Sequence, residues 1–235
     1  AKLLSKAKFP VILSGAGVVL GGAINECKKL AEKLDAPVCN GYQHNDSFPG
    51  SHPLAVGPLG YNGSKAAMEL ISKADVVLAL GTRLNPFSTL PGYGIDYWPK
   101  NASIIQVDMN PDRIGLTKKV SVGICGDAKM VSQQIFEKLS SDAGDFSRED
   151  RKNLIHKTKS AWLQTLTSLD HEEDDPGTVW NKEARERDKD RMSPRKAWRA
   201  IQAGMPDDVI ISSDIGNNCA IGNAYPTFEK GRKYL

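Results

Sequence analysis

Apolar residues in the first 140 positions fall into short runs separated by segments of helical spacing. Phe9-Pro10-Val11-Ile12-Leu13-Ser14 is continuous enough to predict a buried strand, and it ends at Gly15. From Gly22 to Leu34 the spacing becomes that of an amphipathic helix, with Ala23, Cys27, Leu30, Ala31 and Leu34 on one face. Pro37-Val38-Cys39 predicts a short second strand, and Ser64 to Lys73 a helix capped by Ser64. Asp75-Val76-Val77-Leu78-Ala79-Leu80 is apolar at every position after its first, the plainest strand in the chain. Ile104 to Asp108 and Val120 to Ile124 add two more, and Asp127 caps a helix running to about Leu139. Strands without polar alternation, interleaved with helices, predict an α/β fold: a Rossmann-like parallel sheet with helices on both faces.

Two long stretches rich in glycine and proline, Asn40 to Asn62 and Gly81 to Pro99, read as loops. Loops of that length usually bind something or pack against another subunit. In an open α/β sheet they emerge at the carboxyl ends of the strands, where ligands sit. The pattern changes after Ser140. Phe146 to Leu169 predicts a long charged helix marked by Leu154, Trp162, Leu163 and Leu166. His171 to Met192 carries dense charge of both signs around Pro176-Gly177 and reads as a solvated linker, in which a stripe around Trp180 could dock onto a neighbour. Ser193-Pro194 opens a helix to about Ala203, Asp208 to Ser213 predicts a further strand, and Asp214-Ile215-Gly216-Asn217-Asn218 forms the turn after it. The expected organisation is a Rossmann-like domain over 1–140, a helix and charged linker over 141–192, and the start of a second α/β unit over 193–235. One helix and one strand do not make a domain, so that unit reads as cut off.

Charge narrows the partners: 31 Lys and Arg against 28 Asp and Glu leave a formal +3 in 235 residues, too small and too dispersed for a nucleic-acid surface. No apolar run approaches the ~20 residues of a membrane-spanning helix, and Ala1-Lys2-Leu3-Leu4-Ser5-Lys6 has neither the apolar stretch nor the cleavage site of a secretory signal. It also lacks an initiating Met, so the chain reads as a processed or truncated product. Cys27, Cys39, Cys125 and Cys219 form no C-x-x-C pair and have no His at metal-ligand spacing, which predicts free thiols in a reducing, cytoplasmic setting.

Candidate chemistry gathers at the predicted strand ends. Ser14-Gly15-Ala16-Gly17-Val18-Val19-Leu20-Gly21 stands between a strand and a helix, where glycines let a backbone approach a phosphate. The dinucleotide fingerprint needs a third glycine where Leu20 stands and an acid where Asn40-Gly41 follows the second strand, which weighs against a nicotinamide oxidoreductase. The alternative is a tight turn with no ligand. Gly81-Thr82-Arg83-Leu84 could hold a pyrophosphate through Arg83. Asp108 in Val107-Asp108-Met109-Asn110-Pro111 could accept from a ribose hydroxyl, and Cys125-Gly126-Asp127-Ala128 makes a fourth strand end. Each alone is commonly structural, but four in one sheet point to a nucleotide-sized ligand. No Ser-His-Asp order, zinc spacing or isolated carboxylate pair stands out. His44 and His52 read as hydrogen-bonded loop histidines, and Trp98, Tyr93 and Tyr97 as packing residues.

The motifs also occur in a telling order: Pro10 to Gly17, Ala74 to Arg83, Ile105 to Gly115, then Gly126-Asp127-Ala128. This order resembles the middle domain of the thiamine-diphosphate enzymes related to acetohydroxyacid synthase. The loop text Gly57 to Gly63 and Asn85 to Tyr93 is similar to that of a branch acting on a sulfonated aldehyde. The resemblance covers nearly the whole chain. It implies an enzyme of three domains that uses thiamine diphosphate and Mg²⁺ to move an acyl group to phosphate, assembled as a homo-oligomer (dimer or tetramer) with a small-molecule substrate and neither nucleic-acid nor membrane partners. By resemblance, Gly216, Asn217 and Asn218 lie at the turn that touches the cofactor diphosphate. The activating glutamate would precede Ala1 and the Mg²⁺-holding Gly-Asp-Gly…Asn segment would follow Leu235. No catalytic residue and no metal ligand is therefore expected in this chain, which would not turn over substrate alone. In relatives the middle-domain crevice holds FAD, ADP or nothing. Here its residues would be Gly15, Ala16, Gly17, Asn62, Gly81, Arg83, Asp108 and Asp127, although the proline-rich loops depart from the flavin-binding pattern. An acetohydroxyacid-synthase-like enzyme and a non-catalytic module binding ADP, FAD or CoA stand as alternatives.

Overall fold

Residues 1–60, 62–139, 148–170, 194–206, 208–214, 216–231 and 233 are described by a computed structural model. The five predicted runs and one further segment form six parallel strands: β1 (Pro10–Ser14), β2 (Val38–Asn40), β3 (Ala55–Pro58), β4 (Val76–Leu80), β5 (Ser103–Asp108) and β6 (Val122–Cys125). They form one sheet in the order β3-β2-β1-β4-β5-β6. The central pair carries the core. Every residue of β1 and β4 is buried, in register from Pro10 opposite Val76 to Ser14 opposite Leu80. Strands enclosed on both sides need apolar side chains at successive positions, which is why they read as unbroken runs.

Helices close both faces. α1 (Lys2–Ser5), α2 (Ala16–Leu20) and α3 (Ile24–Leu34) come first, then α4 (Lys65–Ile71), α5 (Ala128–Lys138) and α6 (Arg148–Asp170). The Ser64 hydroxyl accepts from the Ala67 amide and starts α4, and Asp127 starts α5, as the sequence predicts. α3 packs against β1 and α5, whereas α4 packs against β2, β3 and α6. Arg151 of α6 ties the layers together. It is buried and donates to the carbonyls of Lys8, Leu34 and Asp35 at 2.8, 2.6 and 2.9 Å, satisfying the end of α3. Asp35 itself sits at φ +47°, in the left-handed region, and pairs with Lys152 at 3.3 Å.

Two expectations are corrected. The stretch 40–62 is not all loop: it contains β3, an edge strand paired to β2 after a register shift between Val38 and Cys39. Ala55-Val56-Gly57-Pro58 carries a glycine and a proline, which an edge strand tolerates and a pattern reading takes for loop. The strand expected over 208–213 is not formed. Among the described residues only Ile211 makes a strand-like contact, its amide bonding to the Lys233 carbonyl at 2.8 Å, and a strand needs a neighbour along its length. α7 (Pro194–Gly204) and α8 (Asn217–Ala224) complete the described elements. The expected linker from His171 to Met192, with Pro176 and Trp180, and the expected Ser193 cap lie outside the described residues. All four cysteines are free. Among the described residues no helix is long and apolar enough to cross a membrane.

Candidate functional site

The sheet order reverses direction between β1 and β4, so the connections leaving these two strands diverge and open a crevice at their carboxyl ends. Four glycines level its floor by extending the sheet ladder one residue past each tip. Gly41 donates to Ser14 O at 2.7 Å, Gly15 to Leu80 O at 3.1 Å, Gly81 to Val107 O at 2.9 Å and Gly126 to Asp108 O at 3.0 Å. The resulting crevice has a volume of about 510 Å³, within the range of small-molecule sites.

Of the residues singled out from sequence, Ala16, Gly17, Gly81, Arg83, Asp108 and Asp127 line this one crevice. Gly15 lies beneath it. A Cβ on Gly15 would stand 2.6 Å from Thr82 Cβ, and one on Gly17 would stand 2.6 Å from Gly81 Cα. Gly81 occupies φ +60°, and its carbonyl accepts from the Gly17 amide at 2.8 Å. The glycines therefore let the β1 and β4 turns touch, and the Gly17 amide is occupied within the protein. Asn62 stands apart: it sits at φ +55° in the turn after the edge strand and does not line the crevice. Gly216 lies at the start of α8.

Both acids already have structural duties. Asp127 Oδ1 accepts from the amides of Lys129 and Met130 at 2.9 and 3.0 Å, and Asp108 Oδ1 accepts from the Asn110 amide at 2.9 Å. Arg83 is exposed at the mouth, and Arg113 joins it there. His44 lines the crevice on the loop after β2. Burial pulls its pKa below the ordinary histidine value, Asp46 opposes the shift, and the positive charge of Arg83 adds to it. His52 is hydrogen-bonded as expected: its Nδ1 accepts from the Leu54 amide at 3.2 Å and its Nε2 faces Glu32 at 3.3 Å. Tyr97 packs fully buried, with its hydroxyl on the Ser88 carbonyl.

Sequence reasoning missed several lining residues. Leu20, read only as an absent glycine, is 73% exposed, and Met109 is 67% exposed, so two apolar side chains flank a polar floor. Gln106, inside β5, does not line the crevice but holds its loops. It is buried, its Nε2 donates to the carbonyls of Thr82 and Arg113 at 3.1 and 3.2 Å, and its Oε1 accepts from the Gly115 amide at 2.9 Å. The Gln106 carboxamide thereby ties together the loops that carry Arg83 and Arg113. The available signal was a polar residue amid an apolar strand.

Comparison with known proteins agrees with this architecture. The family description "Thiamine pyrophosphate enzyme, central domain" matches residues 1–135. Over all 235 residues the chain is 78% identical to the probable sulfoacetaldehyde acetyltransferase of Rhizobium meliloti (strain 1021), covering 40% of that protein. It is 75% identical to the sulfoacetaldehyde acetyltransferase of Roseovarius nubinhibens, covering 39%. A probable acetolactate synthase large subunit from Methanococcus aeolicus is 32% identical over 92% of this chain and 35% of its own length. The chain thus spans about 40% of the length of these curated relatives.

Proposed function

The chain belongs to the thiamine pyrophosphate enzymes through their central domain, and from that premise we propose that it serves within a sulfoacetaldehyde acetyltransferase. That enzyme would convert sulfoacetaldehyde and phosphate into acetyl phosphate, with release of sulfite. The observation that carries the reading is the contrast in identity: 78% and 75% with sulfoacetaldehyde acetyltransferases along the whole chain, against 32% with an acetolactate synthase subunit. Thiamine diphosphate, when bound, supplies the nucleophilic carbon on which such acyl transfers depend.

In this reading residues 1–140 are the central domain, 141–192 a helix and linker, and 193–235 the opening of the unit that holds the cofactor diphosphate. The backbone at Gly216 fits that role. Its φ of +150° belongs to glycine, and among the described residues nothing lies within 4 Å of the place a Cβ would occupy. α8 begins at the next residue, so its first amides offer donors to an anion. Gly216, Asn217 and Asn218 are the residues proposed to meet the diphosphate. No residue of this chain is assigned to Mg²⁺ or to proton transfer. We expect the whole enzyme to be a cytoplasmic homo-oligomer, dimer or tetramer. The test is sulfite release from sulfoacetaldehyde by the full-length polypeptide carrying this chain. Release that depends on both phosphate and thiamine diphosphate supports the proposal, and its absence overturns it.

The crevice favours a second, compatible role as a nucleotide site. Arg83 and Arg113 can neutralise phosphates, and Leu20 and Met109 can flank a planar ring. The residues proposed to line or shape that site are Gly15, Ala16, Gly17, Gly81, Arg83, Asp108 and Asp127, with ADP or FAD as the ligand. A ligand specific for the native state must raise the melting temperature. Thermal-shift titration with ADP, FAD and CoA therefore decides the matter, and no shift at millimolar concentration reduces the crevice to a scaffold.

A further inference from the structure

The loop after β2 has two working faces. Tyr42, Gln43 and His44 form one wall of the crevice. On its other side the same loop grips α8: the Gln43 amide donates to Asn223 Oδ1 at 2.6 Å, and Gln43 Nε2 reaches Cys219 Sγ at 3.2 Å. Asn45 Nδ2 donates to the carbonyls of Asn223 and Pro226 at 2.6 and 3.0 Å. Asn223 is fully buried and Asn45 nearly so. Gln43 holds φ +64°, a left-handed conformation that a non-glycine residue keeps only when its surroundings impose it. Solvated loops rarely concentrate so many buried polar contacts on one short helix.

We propose that Gln43, Asn45 and Asn223 form a positioning clasp that fixes α8, and with it the glycine turn at Gly216, against the central domain before the cofactor arrives. The inference rests on reading Gly216–Asn218 as the diphosphate turn. A helix already held needs no further ordering when the anion binds, so the clasp lowers the cofactor dissociation constant without touching the reacting atoms. It also joins the crevice wall to α8 through Gln43.

Two measurements test it. In the 235-residue chain, Asn223→Ala should speed amide hydrogen exchange in 217–224 and at Gln43 about tenfold, the factor that matches one buried hydrogen bond of about 1.4 kcal/mol. Exchange in β4 should stay unchanged. Asn45→Ala should act likewise from the loop side. Gln43→Gly keeps the amide donor to Asn223 and suits the positive φ but loses the Nε2 contact to Cys219, so it should speed exchange in 217–224 by less than either alanine variant. Unchanged exchange at 217–224 in both alanine variants, or equal acceleration throughout the sheet, overturns the clasp. In the full-length polypeptide, Asn223→Ala should raise the dissociation constant of Mg²⁺–thiamine diphosphate about tenfold while kcat at saturating cofactor is kept. An unchanged constant alongside faster exchange overturns the positioning role. An unaltered protein that binds no thiamine diphosphate overturns the parent reading instead, and the exchange data still decide whether the helix is held.

Discussion

Replacing Gly17 by Ala separates the two explanations of the β1 turn. A methyl there would lie 2.6 Å from Gly81 Cα, 3.1 Å from Gly81 O and 3.2 Å from Gly81 C, all backbone atoms. Carbon atoms rest about 3.5–4.0 Å apart, so the β1 and β4 turns must separate by about an ångström. Opening them breaks the 2.8 Å bond from the Gly17 amide to Gly81 O, worth about 1 kcal/mol. Forced overpacking adds about 1–3 kcal/mol. Alanine's better helix propensity in α2 returns about 0.5–1 kcal/mol. The net loss is about 1–3.5 kcal/mol, a large share of a domain's stability. Urea unfolding followed by far-ultraviolet circular dichroism reads it directly. Gly204→Ala is the control, because among the described residues nothing lies within 4 Å of its Cβ position, and it should be neutral or slightly stabilising. A Gly17→Ala chain as stable as the unaltered one would refute the packing argument and return this glycine to phosphate contact alone.

Other outcomes follow from the same geometry. Arg151→Ala strips three donors from the carbonyls of Lys8, Leu34 and Asp35 and should cost about 3 kcal/mol in urea unfolding, with Arg151→Lys recovering only part, since an ammonium cannot reproduce the fork. His44 should make stability sensitive to acid. Its folded pKa is lowered, chiefly by burial, so the folded chain resists a proton that the unfolded chain accepts near pH ~6.5. The contribution is complete above that pH and is lost as pH falls from there through the folded value. Urea midpoints at pH 7.5 and 5.5 should differ by less in His44→Gln than in the unaltered chain, and an identical difference would contradict the assignment.

How far the sequence could be read depended on what each feature needs. β1, β4 and β5 were legible because burial on both faces demands apolar residues in succession. β3 was hidden because its four residues include Gly57 and Pro58, and only pairing to β2 makes them a strand. The run from Asp208 to Ser213 has strand composition, yet pairing needs partners along its length, and only Ile211 has one among the described residues. The glycine turns, Arg83, Asp108 and Asp127 fall together in one crevice because strand ends in such sheets converge. Their individual duties were not legible, since a glycine that admits a phosphate and a glycine that admits a neighbouring backbone both lack a Cβ. Asn62 was misplaced because proximity in sequence to a glycine-rich loop does not reveal that the loop leaves the sheet's edge, two strands from β1. Leu20 and Gln106 carried signals of their own, an apolar residue in a turn and an amide in an apolar strand, that only the three-dimensional arrangement makes useful.

The most direct test offers the full-length polypeptide sulfoacetaldehyde and pyruvate together, with phosphate, Mg²⁺ and thiamine diphosphate, and follows the products by NMR. Acetyl phosphate formed in step with sulfite is the expected result. Acetolactate as the main product, with sulfoacetaldehyde unconsumed, would contradict the account.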